Sequence, residues 1–400
     1  MSRDGPVDVL IVGGGIAGLA LAASLSGSGL SVTLLEGGEQ PGSVPRGEAL
    51  SEWDSRVSAL TPVSVAMLEA LGAWRHIPQS RTGPYQFMSV WDGQGTGSIR
   101  FSAAEQGAEW LGHIVENRET IAALLAQVTA SSRCDVRWAT RVSALNRTEE
   151  GLPSVSTDSG DRYSARLLVG ADGARSPIRT LASMRVREWS YQQRAIVATV
   201  ALENDHAGTC YQAFLPTGPL ALLPLADRKK CSIVWSIDDS RWESLMALDE
   251  AEFCAALNAA IANRGPVVSG VGRRAAFPLR QCHAVDYVDD RVVLVADAAH
   301  SIHPLAGQGI NLGLSDVRVL AQELAEAAIN GLDWGDQTVL RRYQRQRKTE
   351  NLAMMAAMEG FKRGFGSDVP LLRVLRNAGL SWVDGALPLK QWLAKQALGH

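Results

Sequence analysis

Near the start of the chain, Gly13-Gly14-Gly15-Ile16-Ala17-Gly18 supplies a G-x-G-x-x-G pattern at Gly13, Gly15 and Gly18. Such a turn suits a dinucleotide pyrophosphate. The first glycine reverses the chain tightly, the second lets backbone approach the phosphates, and the third lets a helix pack closely on a strand. The backbone N–H groups of Ile16 and Ala17 would face the phosphates at a positive helix end. Glu36 stands at about the 20-residue spacing at which an acid accepts hydrogen bonds from ribose hydroxyls and repels a 2′-phosphate. Two more glycine-bearing turns follow. Gly170-Ala171-Asp172-Gly173 carries Asp172; Asp297-Ala298-Ala299-His300 carries Asp297 and leads into His303-Pro304-Leu305-Ala306-Gly307-Gln308-Gly309-Ile310-Asn311. No His, Cys and carboxylate group falls at metal-ligand spacing, so no metal is expected.

These turns need elements to hold them. Val7–Val12 reads as a buried parallel strand, Ile16 to about Gly29 as a helix, and Ser31–Leu35 as a second strand ending at Glu36. Ala165–Val169 and Arg291–Ala296 read as strands that end at the other two turns, and a helix is expected from near Gly309 to about Gly331. Between the second and third turns the pattern changes to antiparallel strands at Ala195–Leu202, Cys210–Leu215, Leu220–Leu225, Cys231–Ile237 and Gly272–Arg280, with a helix over Glu243–Asn263. Tyr85–Phe101 is expected to join that sheet. The fold class is therefore α/β: a Rossmann-like domain, interrupted in sequence, with an inserted, mainly antiparallel β-sheet domain and a helical C-terminal region.

Composition narrows the function classes. The 400 residues are 46% hydrophobic and 20% charged, which excludes disorder and collagen-like repeats. A net charge of −3 gives no case for nucleic-acid binding. Five scattered cysteines with no CxxC pair argue against a disulfide scaffold and fit a reducing compartment. Val9–Leu25 is uncharged, but its glycines mark a strand, turn and helix rather than a signal peptide or membrane span. From Arg341 onward, eleven Lys/Arg stand against four Asp/Glu, so an acidic body ends in a basic tail. Asn351–Phe365, Val369–Leu375 and Leu387–Leu398 are apolar segments of that tail, and Leu389, Trp392, Leu393 and Ala397 share one helix face. Two readings stay open: the tail packs on its own domain, or it meets a membrane surface or a partner protein.

With these turns in this order and spacing, the sequence resembles the single-component FAD-dependent aromatic hydroxylases, the p-hydroxybenzoate hydroxylase type. The HPLAGQGINLG segment is similar to the ring hydroxylases of ubiquinone biosynthesis. The VWD, LGHIVEN, CSIVWS and FPL segments resemble the subgroup of 2-polyprenylphenol hydroxylases once called VisC, which oxygenate ring carbon 5. The resemblance implies FAD as cofactor and NAD(P)H as transient electron donor. The reduced, oxygenated flavin carries the chemistry, and no side chain serves as a catalytic residue. It implies that Asp297 holds the ribityl hydroxyls and Asp172 lies where flavin and nicotinamide sites meet. Pro304, Gly307, Gly309, Ile310 and Asn311 would approach the flavin. Arg56, in Asp54-Ser55-Arg56-Val57-Ser58-Ala59-Leu60, and Arg118, in Glu116-Asn117-Arg118, resemble cofactor-contacting arginines, with surface or ion-pair roles as the alternative. The family usually has glycine where this chain has Ala296.

The implied substrates are a polyprenylated phenol and O2; the alternatives are another ring position or aromatic substrate, or a non-catalytic flavin-holding subunit of a ubiquinone-synthesis complex. Phe214, Leu220, Leu222 and Pro224 are candidate walls of an apolar channel, with plain sheet core as the alternative. His303 is a candidate pocket residue, or a residue that orders the loop beside Pro304. The expected FAD-binding domain comprises residues 1–82, 113–180 and 283–340; the substrate domain 83–112 and 181–282; the helical region 341–400. A cytoplasmic protein, attached peripherally to the inner membrane or free of it, is expected, and association into like subunits is left open.

Overall fold

The computed structural model describes residues 5–301 and 309–365, with side chains described to residue 360. Five parallel strands form the centre of an eight-stranded sheet, in the order Val292–Leu294, Arg162–Gly170, Val7–Val12, Val32–Leu35 and Cys134–Arg137. Val9, Leu10 and Ile11 are wholly buried, the expected state of a parallel strand covered on both faces. Helix Ile16–Leu25 is buried almost all round, between helices Asn117–Thr129 and Gly309–Ile329, so its sequence shows no amphipathic period.

The second layer is a nine-stranded sheet built on the 17-residue strand Val186–Leu202, which pairs with Lys230–Asp238, Ala275–Ala284 and Val268–Val271. Gly218–Pro224, Thr209–Leu215, Phe87–Asp92 and Ser98–Ser102 extend it outward. All its pairings are antiparallel except Thr209–Leu215 with Phe87–Asp92. The long strand begins well before Ala195 because its first residues lie at the surface, where no alternation of apolar side chains betrays a strand. A three-stranded sheet of Val57–Leu60, Gly112–Glu116 and Thr82–Tyr85 joins the layers. Trp53, Ala59, Tyr85 and Ile114 on its side meet Cys210, Ala221 and Leu223 of the larger sheet.

Two local differences have clear causes. The helix expected over Glu243–Asn263 is two, Trp242–Ala247 and Glu250–Ile261. Asp249 starts the second: its carboxylate accepts from Glu252 N–H at 2.8 Å, and Glu252 Oε2 accepts from Asp249 N–H at 3.1 Å. This reciprocal cap satisfies two otherwise unpaired donors and favours a fresh start over a continuous helix. The apolar segment from Asn351 is part of one helix, Gln337–Phe365, that packs along Gly309–Ile329. Val369–Leu375 and Leu387–Leu398 lie outside the described residues. Among the described residues no helix is long and apolar enough to cross a membrane.

Candidate functional site

The three glycine-bearing turns lie side by side at one edge of the parallel sheet. Val12 pairs with Gly170, Ala171 N–H donates to Val12 O at 2.8 Å, and Val295 N–H donates to Gly170 O at 3.0 Å. Two glycines of the first turn are fixed by contact. Gly13 has φ +114°, and a Cβ on it would fall 2.3 Å from Ala171 O; a Cβ on Gly18 would fall 1.9 Å from Gly13 O. Gly15 differs: a Cβ there would meet nothing within 4 Å. It opens a helix that has no side-chain cap, so the N–H groups of the first turn, including Ile16 and Ala17, are available to an anion. Glu36 accepts from Gly14 N–H at 2.6 Å and from Gly38 N–H at 2.7 Å. A carboxylate has about four acceptor positions, so these bonds aim Glu36 and leave capacity for a ribose hydroxyl.

The second turn carries a buried acceptor without a partner. Asp172 Oδ2 accepts from Ile178 N–H at 2.8 Å, while Oδ1 is buried and unpaired among the described residues. Desolvation pushes its carboxyl above the ordinary range, against the hydrogen bond from Ile178. Asp297 lies in the short turn Ala296–Ala298. Asp297 is exposed. Desolvation again raises its carboxyl, opposed by the charges of His300 and Arg56. Arg56 is exposed, with its guanidinium carbon 5.8 Å from the centre of the Phe277 ring.

Arg118 is positioned by a buried acid. Its Nη2 lies 2.6 Å from Glu116 Oε2 and also donates to Glu52 O, while its Nε is buried with no partner among the described residues. Glu116 is fully buried; Arg81 Nη1 donates to its Oε1 at 3.2 Å and Asp54 N–H to its Oε2 at 2.6 Å. Burial raises the Glu116 carboxyl, and the two arginines oppose that shift. The roles of Glu116 and Arg81 had no sequence signal, since the pair joins residues 35 apart. Next to Arg118 is a cavity of about 310 Å³ between the two sheet systems, lined by Trp53, Asp54, Arg118, Arg273 and Arg274 among others. The unpaired Asp172 oxygen, the unpaired Arg118 nitrogen and the open side of Gly15 fit a dinucleotide cofactor that would complete them.

Other expected site residues are placed differently. Asn311 is buried, with its side chain committed to protein: Nδ2 donates to Ala59 O at 2.8 Å, and Oδ1 accepts from Thr61 N–H at 3.1 Å and Ser64 Oγ at 2.7 Å. Its side chain thus ties the helix to strand Val57–Leu60, leaving its backbone for any ligand. Ile310 is half-buried and Gly309 faces open space. His303, Pro304 and Gly307 lie outside the described residues. Leu220 and Leu222 are corrected: they belong to the core with Trp235, Phe253 and Leu257 under helix Glu250–Ile261. Pro224, of the same parity, is buried as well. Alternation along the strand turns Ala221 and Leu223 instead toward Trp53 and the three-stranded sheet. Phe214 has the parity of Cys210, on that same side, and is half-buried.

The chain is similar to known proteins along most of its length. The family model "FAD binding domain" matches residues 6–357. The chain is 37% identical over 394 residues to 3-demethoxyubiquinol 3-hydroxylase of Escherichia coli (strain K12), covering 98% of this chain and 99% of that protein. It is 36% identical over 399 residues to the ubiquinone hydroxylase UbiL of Rhodospirillum rubrum, covering 100% and 91%. Among solved structures, p-nitrophenol 4-monooxygenase PnpA from Pseudomonas putida DLL-E4 superposes with a TM-score of 0.78 at 19% identity, covering 98% of both chains. PqsL of P. aeruginosa, in complex with 2-aminobenzoylacetate, gives 0.76 at 22%, covering 94% of this chain and 99% of that one. At such identities the two structures speak for the fold alone.

Proposed function

The chain belongs to the FAD binding domain family, as an FAD-dependent aromatic monooxygenase of the ubiquinone-biosynthesis hydroxylase group, and on that premise we propose that it hydroxylates a polyprenylated phenol at ring carbon 5. When bound, FAD would supply the oxygen-activating redox chemistry: NAD(P)H gives two electrons, one atom of O2 enters the ring and the other leaves as water. The protein's work is binding, orientation and exclusion of water.

In this reading the N–H groups of Gly15, Ile16 and Ala17 hold the pyrophosphate, and Glu36 accepts from the ribose. Asp297 and Arg118 would hold the ribityl chain, and Asp172 would lie where flavin and nicotinamide sites meet. The first turn of helix Gly309–Ile329 presents backbone N–H groups and partial positive charge, which favours the negative charge of a reduced flavin. Arg56, beside Phe277 of strand Ala275–Ala284, would contact the flavin or its phosphates. The nine-stranded sheet would supply the wall that keeps water from the reacting atoms. The observation that carries the reading is the convergence of the Gly13, Asp172 and Asp297 turns at the ends of neighbouring strands of one sheet.

The lipid substrate also suggests how the protein meets a membrane. The basic sequence from Arg341 onward would favour an anionic membrane surface or other enzymes of the pathway as partner. A second reading of the reaction is favoured by the E. coli relative, whose name puts its oxygen on carbon 3 of a demethoxyubiquinol. Profiling quinone intermediates in a strain lacking this protein, then restoring the chain, separates the two. Accumulation of a 2-polyprenylphenol supports carbon 5. Accumulation of a demethoxy intermediate supports the second reading, and an unchanged profile refutes both.

A further inference from the structure

Next to the Asp297 turn, three buried polar side chains and one backbone N–H meet at one carboxylate. Asp316, in the middle of helix Gly309–Ile329, is fully buried. Its Oδ2 accepts from Ala296 N–H at 3.0 Å and from His300 Nε2 at 2.5 Å. Its Oδ1 accepts from Arg347 Nε at 2.8 Å and from Asn351 Nδ2 at 3.1 Å. Arg347 and Asn351 are buried on the last helix, Gln337–Phe365, and bond each other at 3.1 Å. Asn351 Nδ2 also donates to Tyr287 OH at 3.3 Å, and Tyr287 OH lies 3.1 Å from His283 Nε2. About four acceptor positions are all a carboxylate offers, so Asp316 is saturated. A buried carboxylate bound this way by three separate segments fixes their mutual geometry, because any one of them leaving strands a charge out of water.

What it fixes is unusual. Ala296 has φ +52°, in the left-handed region that a residue with a Cβ avoids. A Cβ on Gly313 would come within 2.8 Å of the Ala296 methyl, so helix and turn touch here. Such a conformation persists only where the surroundings over-determine it. The hydrogen bond from Ala296 N–H to Asp316 does that, and the next residue is Asp297.

We propose that Asp316 is a positioning residue for cofactor binding: its carboxylate holds the strained Ala296 turn so that Asp297 faces the cleft, and Arg347 and Asn351 lock it from the last helix. The inference rests on the assignment of Asp297 to FAD. It extends that assignment to a part of the chain with no contact to the cofactor, and makes flavin affinity depend on how the last helix sits.

The test uses full-length holoenzyme and reads the FAD dissociation constant from flavin fluorescence on dilution. Four variants are compared: Asp297→Ala, Asp316→Asn, Arg347→Lys, and Asp316→Asn combined with Ala296→Gly. Asparagine keeps the shape of Asp316 but not its charge or its two acceptor oxygens. Asp316→Asn is expected to weaken FAD binding by about tenfold or more, the scale of a buried charged hydrogen bond lost. Arg347→Lys is expected to weaken it less, by a few-fold. Glycine accepts the left-handed turn without a Cβ penalty, so adding Ala296→Gly should recover roughly threefold to tenfold of the affinity. A merely structural Asp316 would show no such rescue. Absence of recovery by Ala296→Gly, or an Asp316→Asn affinity within twofold of the parent while Asp297→Ala loses FAD, overturns the proposal. If Asp297→Ala keeps its FAD, the assignment of Asp297 fails instead, whatever Asp316 does. Should Asp316→Asn not fold, Asn351→Ser crossed with Ala296→Gly gives the same readout, with the same rescue required.

Discussion

Gly13 and Gly15 look alike in the motif, yet the structure predicts opposite consequences for the same substitution. Gly13→Ala meets two penalties. Its φ of +114° is closed to alanine, and the added methyl would fall 2.3 Å from Ala171 O, 2.6 Å from Ala171 C and 2.8 Å from Asp172 N. All three are backbone atoms of the neighbouring turn, so no flexible side chain can yield. Strain of about 1–3 kcal/mol from the dihedral and about 1–3 kcal/mol from overpacking gives a loss near 3–4 kcal/mol. That loss belongs to the protein without cofactor, because both clashes are internal. Gly15→Ala meets neither penalty: its φ is −75° and its methyl points into open space. Alanine is a poorer helix N-cap than glycine, which costs a few tenths to about 1 kcal/mol. Its main effect falls on the ligand, since the methyl occupies the approach to the phosphates. Urea unfolding of each FAD-free variant, followed by FAD titration, tests the contrast. Gly13→Ala should shift the unfolding midpoint strongly; Gly15→Ala should leave it nearly unchanged and weaken FAD binding by tenfold or more. Equal destabilisation by both, or a Gly15→Ala protein with parental FAD affinity, would refute the steric account.

FAD-free Asp297→Ala should unfold at the same urea concentration as the FAD-free parent, yet the variant should purify without yellow colour; stoichiometric flavin in the variant contradicts the ribityl assignment. Glu116→Gln removes the buried partner of both Arg81 and Arg118 and should cost about 3–5 kcal/mol, the scale of breaking a buried ion pair. A midpoint within experimental error of the parent would show that the arginines find other partners. Burial lowers His283 from 6.5 to about 4, so the folded state holds it neutral while the unfolded chain takes up a proton below pH 6.5. Its contribution is therefore present above pH 6.5 and lost on acidification toward pH 4, by up to about 3 kcal/mol. His113, also lowered to about 4 by burial, titrates in the same window. The slope of stability against pH between 6.5 and 4 should flatten in His283→Gln, which keeps an acceptor for Tyr287; an unchanged slope means that the histidine takes up protons equally in the folded and unfolded chain.

The sequence by itself determined the three turns and their order, because what each requires is local. A tight reversal needs glycine at Gly13, close packing needs it at Gly18, and short apolar runs such as Val7–Val12 form buried strands wherever they are placed. The acids that close those turns, Glu36, Asp172 and Asp297, are legible for the same reason: each stands at the end of its own strand. Tertiary structure alone decided which face of a strand meets which neighbour. Period-two alternation at Gly218–Pro224 marks two faces without saying that Leu220 and Leu222 go under a helix while Ala221 and Leu223 turn toward the three-stranded sheet. It also decided the partners of buried charge. Asp316 reads as an unremarked acid in a helix, and Glu116 as a residue at a helix start. Their meaning comes from Ala296, His300, Arg347 and Arg81, which lie 16 to 35 positions away. A charge taken out of water must find its counterpart in space, and only the folded chain sets that distance.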